Sequence, residues 1–546
     1  MKGKQVLSIL LAGVLTAGTM LTGCGSEEST STAPAASSEA TSAAAAAASS
    51  EASEDTTSAA ADAAESEDMS DGDITDIEVY GMCLSDMSGV QAVEDAINKI
   101  TESKIGVHVH LNWIAMGGYS EQISLKMSGN EQMDVMMVTP IQASAFSSLT
   151  SQNQLKPLDD LLTQYGTGIT STVGDYIKGC QLNGVTYAIP TYRTLNSDGY
   201  IVMRKDILDQ LGLTEKAQNL DNWTDFEDIM KQAVKADSTL NGIVNADSDA
   251  TVITEQCFLN GPDKFADDTT YDPLGDTYKI IASDSSTNKV YDYFESDAYY
   301  QMLKRVKSWY DEGLVYKDAA TSEVGGDELM KTKVGFSYVC QSEIGVETSK
   351  KAATGYDVVC PKFCSIPVST TSCTKFCWGI PVTSKEPEAA MKFLNLMYTD
   401  ADICNLLAWG VEGTDYVVKD GQACYPDGVD ATSVAYHSAD FMYGNQFLCL
   451  PWDGQGADFR DTAKKSLEDA GTSPYLGFSC DTTSISNELT AVYNVIQQYK
   501  GGLETGSVED LDSNYAEFKT ALQNAGVDKV IAEYQKQLDA WLAAKN

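Results

Sequence analysis

The sequence predicts an α/β protein of at least two domains, with a doubly wound unit near its start and helices at its C-terminal end. Two observations carry that prediction. Strand-like and helix-like segments alternate from residue 77 to residue 138, the signature of a doubly wound sheet. The 473 residues from Ile74 onward also exceed the roughly 250–300 that one hydrophobic core supports, so at least two domains are expected.

The elements follow in order. Ile77-Glu78-Val79-Tyr80 reads as a strand, and Val90, Val93, Ile97 and Ile100 then mark one helix face. In VHVHL, residues 107–111, Val107, Val109 and Leu111 alternate with His108 and His110, giving a half-buried strand with both imidazoles on one side. A helix over 118–129 and a short buried strand over 134–138 complete the unit. Ligands of such folds sit beyond the carboxyl ends of strands, which points to the loops at 83–88, 113–119 and 139–142. Asn183-Gly184 signals a hairpin turn, and residues 200–203 a strand. Thr224 and Glu227 have capping-box spacing, so a helix is expected to open at Thr224. Residues 279–282 and 289–294 look like a hairpin around a polar turn. Residues 299–312 form a helix with Trp309 on its apolar face and Gly313 as its cap. Strands over 334–339 and 377–380 and a helix opening at Pro387 repeat the rhythm. At the end, Gly526 closes one helix, and Val530, Tyr534, Leu538 and Trp541 form the buried stripe of the last.

Before the body, Lys2 and Lys4 precede an uncharged apolar stretch that stops at Leu21-Thr22-Gly23-Cys24. A basic front, an apolar middle and small residues before a cleavage point are the parts of a secretory signal, expected over residues 1–23. Diluted by Gly and Thr, the stretch falls short of the roughly 20 strongly apolar residues of a membrane span. LTGC resembles the bacterial lipobox, whose cysteine is acylated, so Cys24 is expected to carry lipid. Residues 24–73 then read as that cysteine plus a disordered acidic tether, rich in Ser and Ala and without aromatic or basic side chains.

The formal net charge of −42 opposes nucleic acid, anionic lipid surfaces and polyanionic ligands as partners. Twelve cysteines follow Cys24. An even number in an exported chain fits disulfides, whereas apolar settings such as Leu448-Cys449-Leu450 fit core packing. Cys360, Cys364, Cys373 and Cys377 form the tightest group, but their C-x₃-C spacing is not the usual C-x₂-C of structural zinc. Positions four apart share a strand face, so packing explains them. The chain has no phosphate-loop, G-x-S-x-G or H-E-x-x-H motif. Of its three histidines, His108 and His110 suit a metal by type, although a pair on a strand equally fits a plain solvent face. Residues 245–255 and 284–295 faintly mimic calcium loops without the turn glycine. No cofactor and no metal are expected.

Longer stretches carry a family resemblance. MSGNEQMDVMMV, GVTYAIPTYRTLNSDGYIVMRKDIL, CWGIPVTSKEPEAAMKFLNLMYTD, LLAWGVEGTDYVV, GNQFLCLPWDG, SPYLGFSCD and AGVDKVIAEYQKQLDAWL occur in that order. With LTGC and the tether, they resemble the family 1 extracellular solute-binding proteins, lipoprotein components of Gram-positive carbohydrate ABC importers, over most of residues 74–546. The resemblance implies a type II periplasmic-binding-protein-like fold, related to maltose-binding protein, in which two doubly wound α/β lobes are joined by a hinge. One lobe is expected over 74–190 plus 345–400, the other over 191–344 plus 401–546. The resemblance also implies a lipid-anchored monomer on the extracellular face of the cytoplasmic membrane. Lipid would be its only membrane contact, and it would close on ligand, dock on an ABC permease and run no chemistry.

A sugar presents hydroxyls at its rim and C–H groups on its faces, so its site needs flat aromatics and short polar groups. Trp113 follows VHVHL where a strand end opens on the cleft, and Asp86 lies in the first strand-end loop. Tyr192 and Arg193 fall in the crossing segment where the family places ligand contacts, and Gln341 in a loop the family points at the cleft. Trp452 and Asp453 pair a stacking plane with a carboxylate, and Trp378 fits either cleft or core. The expected role is capture of a neutral oligosaccharide for an ABC importer. A peptide-binding receptor of the same fold, a surface glycosidase and a ligand-presenting adhesin are the alternatives.

Overall fold

In the computed structural model, residues 74–84, 87–246, 250–259, 261–265, 272–276 and 278–545 are described. The expected signal peptide, Cys24, the tether and Asp86 lie outside the described residues. The chain enters through β1 (Thr75–Cys83), α1 (Val90–Ile105), β2 (Val107–Ala115), α2 (Met116–Ser128) and β3 (Val135–Val138), the unit read from the hydrophobic pattern. Next come β4 (Ala188–Pro190), β5 (Asp198–Arg204), α3 (Trp223–Ala236), β6 (Asn241–Ile243), the hairpin β7 (Ile281–Asp284) and β8 (Lys289–Asp292), and α4 (Asp297–Asp311). They are followed by β9 (Gly335–Ser342), α5 (Val346–Thr354), β10 (Val358–Val359), β11 (Lys362–Cys364), β12 (Cys377–Gly379), α6 (Pro387–Thr399) and α7 (Ala401–Trp409). The last helices are α8 (Phe459–Asp469), α9 (Ser486–Glu504), α10 (Leu511–Ala525) and α11 (Val527–Lys545).

Two sheets organise these elements into two doubly wound α/β lobes. The first sheet runs β2-β1-β3-β12-β4, with β1 parallel to β2 and β3 and β12 antiparallel to both its neighbours. The second runs β10-β5-β9-β6, with β11 also pairing β5. Here β9 lies parallel to β6 and antiparallel to β5. Each sheet owns a core. Ile77, Val79, Val109, Val135 and Trp378 fill the first. Ile201, Trp223, Phe226, Trp309 and Phe336 fill the second, which α9, α10 and α11 close with Val492, Phe518, Val530 and Leu538.

The strand β2 is an edge, and edge N–H groups left open invite pairing with another chain. Helix α1 closes this edge with side chains. Asn98 Oδ1 accepts from the Val109 N–H at 2.7 Å, and a Glu94 carboxylate oxygen accepts from the Leu111 N–H at 2.6 Å.

Three expectations are corrected. The lobe boundaries move, because residues 346–364 stay with the second lobe, where β10 and β11 pair with β5 and occupy an edge it would otherwise expose. Residues 401–467 belong with the first, where Ile403, Leu407, Tyr436, Tyr443 and Leu467 enter its core. The chain therefore passes between lobes near residues 191–197, 365–376 and 470–474, and Val368 bridges Thr472 where the last two run side by side. The third correction is local. Helix α3 is capped by Asn222, whose side chain accepts from the Asp225 N–H, and Thr224 instead donates to Asp263. Glu227, freed from a capping role, accepts from Trp309 Nε1 at 2.8 Å.

The cysteines follow the packing reading. Eleven of the twelve described cysteines are buried, Cys360, Cys364, Cys373 and Cys377 among them. Burial pushes the Cys373 thiol up to about 12.

Candidate functional site

Parallel strands end on one side of a sheet, and in the second lobe the carboxyl ends of β6 and β9 frame a cavity of about 280 Å³. Gln341, at the end of β9, stands at its rim and donates from Nε2 to Gln256 Oε1 at 2.7 Å. The opposite wall is α9, where Leu489, Val492 and Ile496 point into the core while Tyr493 stays 38% exposed. Its ring lies 5.0 Å from that of Tyr278, so two tyrosines face the same space.

The charges of this cavity are balanced. Lys279 Nζ sits 3.2 Å from the Glu255 carboxylate. Burial pushes that carboxyl up, but Lys279 and hydrogen bonds outweigh it, and it is held below the usual range. Glu504 is buried on the same wall and accepts from Tyr299 Oη at 3.2 Å, and burial raises its pKa. Lys500 completes the lining. Paired charges, amide groups and aromatic rings suit an uncharged ligand with many hydroxyls, because hydroxyls both donate and accept. A larger cavity, about 630 Å³, runs along the three crossings and is bordered by Asn196, Ile366, Pro367, Ser466 and Gly471. No aromatic side chain among the described residues lines it, and its walls include the segments that a hinge must move, so it reads as hinge space.

The sequence-predicted residues divide by what they touch. Gln341 belongs to the cavity. Trp113 lies in β2 with its ring over Gly81, where a Cβ would come within 2.2 Å of it; its Nε1 donates to Tyr436 Oη at 3.1 Å. Tyr192 is half-buried in the first crossing, edge-on to Phe447 at 5.0 Å. Arg193 is buried, and its guanidinium donates to Thr194 O at 2.9 Å, Glu343 Oε1 at 3.2 Å and Ser372 O at 3.3 Å. These partners make it a tie between the crossing and the end of β9 rather than a group offered to solvent. Burial pushes the Glu343 carboxyl up against the pull of Arg193.

Trp378 is corrected to a core residue. It is fully buried in β12, donates from Nε1 to Met442 O at 2.9 Å and stacks on Tyr443. Trp452 is half-buried against His437, Tyr425 and Trp409, with centroids 4.4, 4.8 and 4.9 Å away. Asp453 beside it is exposed and donates its N–H to Ala423 O. The loop carrying both reaches the second lobe. A Cβ on Gly454 would sit 3.7 Å from Thr348 Cγ2, and one on Gly345 would sit 2.8 Å from the Phe459 ring. Burial lowers the pKa of His437 inside this aromatic group.

Tyr278, Tyr493, Glu255, Lys279 and Lys500 were not legible as site residues. Tyr493 left one trace, an aromatic side chain lying off the buried stripe of its helix.

Comparison with known proteins agrees with this architecture. Residues 86–402 match the model of the bacterial extracellular solute-binding protein family, and residues 474–543 match a domain of unknown function. A carbohydrate ABC transporter substrate-binding protein of Streptococcus pneumoniae is 25% identical over 456 residues, covering 82% of this chain and 87% of that protein. The crystal structure of the N-glycan transport solute binding protein NgtS of S. pneumoniae superposes with a TM-score of 0.73 at 22% identity, over 86% of this chain and 100% of that one. Its complex with Man1GlcNAc gives 0.64 over the same shares, also at 22% identity.

Proposed function

Since the chain belongs to the bacterial extracellular solute-binding proteins, we propose that it captures a neutral oligosaccharide between its lobes and delivers it to an ABC permease. The observation that supports this reading is the charge-balanced cavity at the carboxyl ends of β6 and β9, the second lobe's share of the ligand site, walled by Tyr278 and Tyr493. Tyrosine rings stack on sugar C–H faces, while Gln341 and the paired charges meet the hydroxyl rim. The protein binds and releases without chemistry, as a carrier. Cys24 holds it to the outer face of the membrane through acyl chains, since LTGC ends the apolar leader. No helix among the described residues is long and apolar enough to cross a membrane.

A panel of glycans and peptides tests this by calorimetry, led by mannose- and N-acetylglucosamine-containing glycans because NgtS was crystallised with Man1GlcNAc. One or more glycans should bind and be recovered uncleaved. Tyr493→Ala should weaken that binding by about tenfold or more, about 1.4 kcal/mol, and shift stability by no more than about 0.5 kcal/mol, as exposed substitutions do. Parental affinity in Tyr493→Ala would remove the cavity from the site, and binding of peptides alone would replace the sugar reading. Protein from its host should have the mass of a chain starting at acylated Cys24; retention of Met1 would overturn the anchor.

A further inference from the structure

We propose that Asp76, His108 and His110 form a binding site for a divalent transition-metal ion of the zinc, cobalt or nickel kind, at the end of the first lobe away from the ligand cavity. Two of the chain's three histidines stand two apart on β2, so both project from one face. Their ring centroids are 4.8 Å apart. Register places Asp76 of β1 beside His108 and Glu78 beside His110. One ligand atom from each of Asp76, His108 and His110 lies within 4.8 Å of the others. Metal–ligand bonds of about 2.0–2.1 Å set donor atoms roughly 3.3 Å apart in a tetrahedral shell. The 3.1 Å between His110 Nε2 and the Asp76 carboxylate already meets that spacing, and Asp76 is exposed and free to swing.

The surroundings prepare the imidazoles as ligands. A Glu102 carboxylate oxygen lies 2.6 Å from His108 Nδ1, so that nitrogen carries the proton and Nε2 keeps its lone pair. Nε2 meets only a long contact, 3.3 Å, from Asn98 Nδ2, which also donates to Val109 O at 2.9 Å. The Glu94 carboxylate stands 3.9 Å from His110 Nδ1 and can orient that ring in the same way. Glu78 accepts from Asn112. Four carboxylates, Asp76 and Glu78 from β1 and Glu94 and Glu102 from α1, thus surround two imidazoles and favour a cation there. Two nitrogens and one oxygen leave a coordination position for water. Imidazole with carboxylate selects this class of metal over calcium or magnesium, which take oxygen shells. Bound metal pins the edge strand β2 to β1.

The test uses the full mature chain, purified without a histidine tag and stripped with chelator, titrated with Zn²⁺ by calorimetry and with Co²⁺ by visible absorption. One saturable site is expected, with tetrahedral cobalt bands. His108→Gln and His110→Gln should each weaken it by about tenfold or more, and Glu102→Gln, as a positioning change, by about tenfold. His437→Gln should leave it unchanged. Should a variant fold poorly, ring signals of the parent's three histidines in magnetic resonance give an independent reading: Zn²⁺ should shift two and leave the third. No saturable binding, equal binding by the His108→Gln/His110→Gln protein, or a shift confined to one ring would overturn the site. Glycan affinity should be the same with and without Zn²⁺, so the outcome is independent of the cavity.

Discussion

Asp134 joins three distant stretches of chain through one carboxylate. Oδ1 accepts from Ser384 Oγ and from the N–H groups of Lys385 and Glu386, at 2.8, 2.9 and 3.1 Å. Oδ2 accepts from the Glu78 N–H and from Gln132 Nε2, at 3.0 and 2.8 Å. Burial pushes the pKa of this carboxyl up, but these donors outweigh it and the net shift is downward. A carboxyl held below its unfolded value, about 3.9, stabilises the fold above that pH and loses the effect as pH falls through the folded value. Asp134→Asn puts an amide NH₂ against donors and should cost about 2–3 kcal/mol at pH 7. Denaturant unfolding should show that gap, and it should narrow towards pH 3. A gap that widens on acidification would contradict the downward shift. The sequence displayed the buried strand after Asp134 but not its role, because the three donors to Oδ1 lie some 250 positions away. The aromatic neighbours of Trp452 were hidden for the same reason. LPWDG looks like an exposed stacking motif, yet His437, Tyr425 and Trp409 close around the ring.

At the scale of elements, local pattern was a good guide wherever one face alone is buried. The alternation of VHVHL gave β2, and the helical stripes gave α1 and α4. It failed where spacing was ambiguous. Thr224 and Glu227 fit a capping box, but Asn222 caps α3 two residues earlier. Nothing local announced that α1 would cover the edge of β2. Asn98 serves there as a substitute strand, accepting from the Val109 N–H and donating to its carbonyl. Asn98→Ala should destabilise the protein by about 1–3 kcal/mol, the cost of leaving a buried peptide group unpaired. Hydrogen exchange should locate the effect at the Val109 amide. Unchanged protection there would mean that α1 covers the edge without needing this side chain.

For the molecule as a whole, length and rhythm announced two lobes but not their seams. The resemblance placed two seams too early, since nothing in residues 345–364 or 401–470 marks which sheet a segment will join. The cavity residues were hidden by the same effect: Tyr278, Gln341 and Tyr493 meet only once α9 packs on the second sheet. Arg193 and Glu343 link the first crossing to the end of β9, close to where lobe motion would act. A ligand touching both lobes favours the closed arrangement. Solution scattering should therefore show a smaller radius of gyration with a saturating glycan, and an unchanged radius at proven saturation would indicate a preformed pocket.

The three crossings also govern how such a chain can be made. Neither lobe is a continuous stretch, and the first core awaits Leu467 and Leu476 while the second awaits Leu538. A growing chain therefore has no finished half to set aside as it is synthesised. Neither core closes before Leu476 is made, and a gene shortened to end ahead of that codon yields two incomplete lobes instead of one complete lobe. Apolar surface stays open in such fragments, and aggregation is their expected fate.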